Sequence, residues 1–213
     1  MTKQADNANT IYLADYHRWQ YDIDEVRLRF ELDPHDTRVT AHLSLRRPDT
    51  IPAVEALRLD GEHLTLQAIR LNGENLAPHR YQVDDQGLTL FAPPAAFTLE
   101  TVTGIVPADN TALQGLYTSH GHFVTQCEAE GFRRITYFPD RPDCMTLFTT
   151  EIIADAAQYP VLLSNGNLIE QETLADGRQR VVWQDPFAKP SYLFALVAGD
   201  LACHEDSFTT GSG

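Results

Sequence analysis

Apolar residues recur at every second position over long stretches of this chain. Val26, Leu28, Phe30 and Leu32 alternate with Arg27, Arg29 and Glu31. After Asp33-Pro34-His35-Asp36, the residues Val39, Ala41, Leu43 and Leu45 alternate with Arg38, Thr40, His42, Ser44 and Arg46. A period of two sends successive side chains to opposite faces, so this stretch predicts a β-hairpin with one wet face. Leu57 and Leu59 lead into Asp60-Gly61. Leu64 and Leu66 then open a strand in one phase, and Ile69 and Leu71 close it in the other, which predicts a bulge near Gln67-Ala68. Asn72-Gly73 is a tight-turn signal. A second hairpin is predicted around Asp85-Gln86-Gly87, stopped by Pro93-Pro94, and a strand runs from Phe97 to Val106 before Pro107.

Between residues 108 and 118 the alternation lapses, and the segment reads as a loop. Residues 143–148 have the pattern of a short helical turn. Strands are predicted at 148–153, 161–163, 180–183 and 192–197, separated by turns at 164–167, 175–177 and Asp185-Pro186. Residues 192–198 are apolar throughout, as in a strand buried on both faces. No helical period persists for three turns. The fold class is therefore all-β, a twisted two-layer arrangement of mostly antiparallel sheets. A boundary between sheet systems is placed near Pro107. Residues 1–11 are expected to be mobile, and Tyr12, Tyr16, Trp19 and Tyr21 to form an aromatic docking arm.

Composition narrows the partners. At 213 residues the chain can bury a sizeable core, and its net charge of −14 argues against nucleic acid or an anionic membrane as a partner. Cys127, Cys144 and Cys203 are odd in number and lack metal-ligand spacing, and no apolar run approaches membrane-spanning length, so a cytoplasmic location is expected. His204-Glu205 begins like a zinc-binding helix motif, but the position four after the histidine is Phe208. His120 and His122 would share a face if extended, against the plainer reading of a surface turn. No metal ligands and no catalytic residues are assigned to this chain.

The densest chemistry lies in Gln126-Cys127-Glu128-Ala129-Glu130-Gly131-Phe132-Arg133, followed by Asp140-Arg141-Pro142-Asp143. If extended, Gln126, Glu128 and Glu130 point to one face, and Cys127 and Ala129 to the other. Three polar side chains on one face are either a solvated strand surface or the lining of a cleft that recognises a cation. The residue types leave both readings open.

In order along the chain, NTALQGLYTS at 110–119, TQCEAEGFR at 125–133, DRPD at 140–143, LSNGN at 163–167, WQDPF at 183–187 and YLFALVAGD at 192–200 resemble the first domain of the M1 family of zinc aminopeptidases, in its bacterial branch. The similarity runs from about Tyr12 to Thr210. It implies a saddle-like β domain, spanning all of 1–213, that caps a catalytic domain of the same polypeptide. That catalytic domain, which carries the zinc of the full-length enzyme, has no counterpart here. The resemblance implies that Glu128 binds the α-ammonium group of a peptide substrate with a free N-terminus. It also implies that Gln126 lines the pocket for the first side chain. An exopeptidase needs such a carboxylate, because a clamp on the terminus is what measures one residue from the end. By itself this domain is expected neither to hydrolyse peptides nor to retain zinc. Glu130 is read as structural, with Arg133, Asp140 and Arg141 as its possible partners, and Tyr137 and Phe138 as packing residues.

Other readings remain at this point. One is a non-catalytic β module that binds protein or carbohydrate. Another is an M1-like scaffold without peptidase chemistry, and a third is an M1 relative with an added epoxide hydrolase activity.

Overall fold

A computed structural model describes residues 12–212. Fifteen strands form three sheets among them: β1 (Asp22–Glu31), β2 (Thr37–Arg46), β3 (Ala56–Asp60), β4 (Thr65–Leu71), β5 (Glu74–Asn75), β6 (Tyr81–Asp84), β7 (Gly87–Phe91), β8 (Ala96–Ile105), β9 (Gly115–Ser119), β10 (His122–Gln126), β11 (Thr146–Asp155), β12 (Val161–Ser164), β13 (Asn167–Thr173), β14 (Arg178–Lys189) and β15 (Leu196–Gly199). The largest sheet has the order β13-β14-β11-β1-β2-β8-β4-β5, a second is β12-β15-β10-β9, and a third is β3-β7-β6. The all-β class holds. The strands divide over three sheets rather than two stacked ones, and β1 lies parallel to β11 in an otherwise antiparallel set. Strands from both sides of Pro107 share the largest sheet.

The period-two pattern sets the faces. Val26, Leu28 and Phe30 of β1, and Val39, Ala41, Leu43 and Leu45 of β2, are buried. Arg27, Arg29, Arg38 and His42 face out. One cluster joins this inner face to Leu57, Leu59, Leu88 and Leu90 of the small sheet and to Phe123, Leu196 and Ala198 of the four-stranded one. On the wet face, Arg180 reaches Glu151 at 2.8 Å and Arg29 reaches the same carboxylate at 3.8 Å, so charged side chains cover the sheet without burying it. The predicted bulge is present, with the register of β4 against β8 shifting between Leu66 and Ala68. Asn72 and Gly73 both adopt positive φ, the geometry a two-residue hairpin turn demands.

Four expectations change. Residues 143–148 contain no helical turn: Pro142 and Asp143 turn, and β11 begins at Thr146. Asp185-Pro186 is a bulge within β14 rather than its end, the register against β11 shifting between Thr146 and Phe148. Asp185 there accepts from the buried Lys189 ammonium at 3.0 Å. Residues 192–198 are not one doubly buried strand. Ser191–Leu193 form a 3-10 turn, Leu193 and Ala195 are exposed, and Phe194 plugs the core. The loop after Pro107 ends at Gln114 and β9 begins at Gly115, and β13 leaves no signal in the sequence because all seven of its residues are exposed and carry no alternation.

The aromatic arm is half core and half strap; residues 1–11, the expected mobile segment, lie outside the described residues. Trp19 and Tyr21 are buried, and the Tyr21 hydroxyl donates to the Pro94 carbonyl at 2.8 Å. Tyr16 stays exposed, but its hydroxyl donates to Asp143 at 2.6 Å, and Arg141 binds the same carboxylate through two nitrogens at 2.9 Å. Arg141 also donates to the His17 carbonyl at 2.7 Å. The Arg141 guanidinium, helped by Tyr16, holds the Asp143 carboxyl down at about 2, against an ordinary 3.8. A depressed carboxyl stabilises the fold above its ordinary value and loses that contribution as pH falls towards about 2. Asp143→Asn is expected to cost about 1 kcal/mol at neutral pH, the pair being partly exposed, and to flatten the acid limb of stability. Urea unfolding at a series of pH values measures both.

Candidate functional site

β10 ends at Gln126, and the chain then turns sharply. Cys127 points inward and is buried, the Gly131 amide donates to the Cys127 carbonyl at 2.8 Å, and the peptide joining Glu128 and Ala129 is cis. Phe132–Arg134 follow as a 3-10 turn. The extended geometry expected for residues 126–130 is therefore absent. Glu128 and Glu130 are exposed because they stand on a turn, not because they alternate on a strand.

Two close approaches fix this turn. Gly131 lies where a Cβ would come within 2.3 Å of the Gln126 carbonyl oxygen and 2.9 Å of the Gly115 amide nitrogen. Phe132, fully buried, anchors the far side. Gly131→Ala is thus expected to destabilise by about 1–3 kcal/mol, since backbone rather than a flexible side chain would have to move. Chemical denaturation of the purified domain checks it.

A cavity of about 320 Å³ opens beside the turn, lined by Glu128, Ala129, Glu130, Asp140, Pro142 and Tyr192. Its carboxylates differ in one respect. Glu130 is paired with Arg133 at 3.3 Å, and Asp140 accepts from the Arg133 backbone amide and Nε, both at 3.1 Å. Just behind, Glu62 is paired with Arg134 at 3.2 Å, and Asp60 accepts from the Asp140 amide at 3.0 Å. Among the described residues the Glu128 carboxylate has no hydrogen-bond or ion-pair partner; only its backbone carbonyl is engaged, accepting from Gln126 Nε2 at 3.1 Å. One solvated carboxylate with no partner among the described residues therefore stands at the rim of the hollow, an arrangement suited to an organic cation.

Gln126 is brought next to Glu128, but it braces the turn and does not line the cavity. Glu130 takes the partner proposed for it, Arg133, from an exposed position. Tyr137 and Phe138 are core residues. Tyr192 and Ser191 carry no site signal in the sequence: they lie about sixty residues beyond the turn, and no local pattern ties them to it. His120 and Gly121 adopt positive φ and form a surface turn. The buried Cys127 and Cys144 thiols are both pushed up, chiefly by burial, Cys144 to about 12, so neither is poised as a nucleophile. Among the described residues no three His, Cys, Asp or Glu side chains gather where a metal could bind.

A profile of the Peptidase M1 N-terminal domain matches residues 20–193. The chain belongs to that family. It is 50% identical over 210 residues to aminopeptidase N of Caulobacter vibrioides, covering 99% of this chain and 24% of that protein. It is 48% identical over 202 residues to aminopeptidase N of Escherichia coli, covering 95% and 23%. The chain thus spans about a quarter of the length of these relatives. Among solved structures, Legionella pneumophila aminopeptidase A in complex with aspartic acid superposes with a TM-score of 0.84 at 38% identity, covering 89% of this chain and 22% of that one. The M1 zinc metallopeptidase of Deinococcus radiodurans, at 17% identity, a TM-score of 0.72 and coverage of 84% and 42%, shares the fold.

Proposed function

We propose that this M1 N-terminal domain is the cap of a zinc aminopeptidase and that Glu128 receives the α-ammonium group of the peptide to be shortened. The observation that carries the reading is the unpartnered Glu128 carboxylate, among neighbours that are all engaged. A free terminal ammonium would supply the missing counter-charge. Peptides blocked at the N-terminus would leave the carboxylate bare and present bulk where the amine should sit. Gln126 supports Glu128 through the turn backbone, and we propose that it meets the first side chain of the substrate from outside the cavity wall. Among the described residues no cluster of His, Cys, Asp or Glu fits a zinc ion, and in this reading the metal is held by the catalytic domain that the cap covers. Three free cysteines, two of them buried, suit a reducing, cytoplasmic setting.

The test compares Glu128→Gln with the parent in the complete enzyme, using an aminoacyl chromogenic substrate. A fall in kcat/KM with metal content retained supports the reading. An unchanged kcat/KM removes Glu128 from substrate binding.

A further inference from the structure

Resting on that reading of Glu128, we infer that Asp140 is a positioning residue for the amine site, holding the Glu128 turn and the opposite wall of the cavity in one rigid frame. Its side chain is 1% exposed. Oδ2 accepts two hydrogen bonds from Arg133, one from the backbone amide and one from Nε, while the Asp140 carbonyl accepts a third from Arg133 Nη2 at 3.3 Å. Oδ1 accepts from the Ser191 hydroxyl at 2.5 Å, and the Asp140 amide donates to Asp60 at 3.0 Å.

These bonds join segments that are far apart in sequence. Arg133 sits in the 3-10 turn directly after the Glu128 turn, and its Nη2 also reaches Glu130. Ser191 begins the 3-10 turn whose next residue, Tyr192, forms part of the cavity wall. Asp60 ends β3, whose backbone pairs with Phe138 through Asp60 N to Phe138 O at 2.9 Å. The Asp140 carboxylate thus ties the two sides of the hollow to each other, and the Asp140 backbone amide fastens the same residue to the small sheet. The carboxylate is itself engaged by Arg133, whose guanidinium it shares with Glu130 and Glu62, so the carboxylate of the hollow still open to a ligand is that of Glu128. A buried carboxylate with this many donors has a defined position, whereas Glu128, with no side-chain partner, depends on its backbone for placement.

The inference predicts that losing the Asp140 charge acts through Glu128. Asp140→Asn in the complete enzyme is expected to lower kcat/KM for aminoacyl substrates by about tenfold to a hundredfold, mostly through KM. In a Glu128→Gln background the same substitution should cost less than about twofold, because the group it positions is already gone. Equal losses in both backgrounds would overturn the inference while leaving the role of Glu128 intact. No loss from Glu128→Gln alone would overturn that role, and the inference with it. If Asp140→Asn fails to fold, as judged by thermal unfolding, Ser191→Ala takes its place in the same cycle. That variant removes a single hydrogen bond to Asp140. A several-fold loss that disappears beside Glu128→Gln supports the inference, and no loss, or an equal loss in both backgrounds, overturns it.

Discussion

Glu128→Ala in the complete enzyme should lower kcat/KM for free aminoacyl substrates by about two to three orders of magnitude. Zinc content and thermal midpoint should stay within error of the parent. The size follows from the geometry. A unit charge pair about 4 Å apart gains roughly 4 kcal/mol at an effective dielectric near 20, and stripping water from the two ions takes part of that back. In the proposed reading, removing one member leaves the substrate ammonium without its counter-charge, and truncating one partner of a hydrogen-bonded charge pair buried on binding costs about 2–5 kcal/mol. At 1.36 kcal/mol per tenfold, a loss near the middle of that range is about 10²–10³. Stability should barely change, because Glu128 is exposed and its side chain contacts no partner among the described residues. Steady-state kinetics, metal analysis and a melting curve on the same preparation separate these outcomes. A melting midpoint that falls along with activity would mean that the turn, rather than the charge, was being probed.

Phe132→Ala is expected to destabilise the domain by about 3–5 kcal/mol, read from urea unfolding at neutral pH. Phe132 is fully buried. Its ring meets Phe138 at 5.0 Å and 74°, Phe194 at 5.3 Å and 72°, and Phe148 at 5.9 Å and 88°. These are edge-to-face contacts, each adding to the area term, and deletion leaves a hollow that β11 and the segment before β15 cannot readily close. The same residue follows Gly131 in the site turn, so the variant should also lose activity in the complete enzyme. A stability loss below about 1 kcal/mol would show that the aromatic cluster repacks around the gap.

Much of the architecture was legible along the chain because burial on one face writes itself as alternation. The β1–β2 hairpin, the bulge in β4 and the Asn72-Gly73 turn each follow from a few neighbouring residues, and each is present. The failures have an equally local cause. β13 is wet on both faces and so has no period, while residues 192–198 are apolar without being a single strand, because one ring, Phe194, is drawn into a core formed by distant segments. The site divides in the same way. Glu128 was singled out from its neighbours and from a family resemblance, whereas the extended geometry assumed for it was replaced by a turn.

By itself, the sequence determined the class of fold, the faces of its long strands and the stretch in which the chemistry lies, since all three depend on residues close together in the chain. Only the tertiary structure decided which carboxylate of the cavity is left without a partner among the described residues. Arg133, Arg134 and Ser191 reach Glu62, Glu130 and Asp140 across as many as 72 residues of chain (Glu62 to Arg134) and pair with them. Ion pairing depends on distance in space, so which carboxylate of the cavity stays unpaired follows only from where the folded chain puts its neighbours' partners.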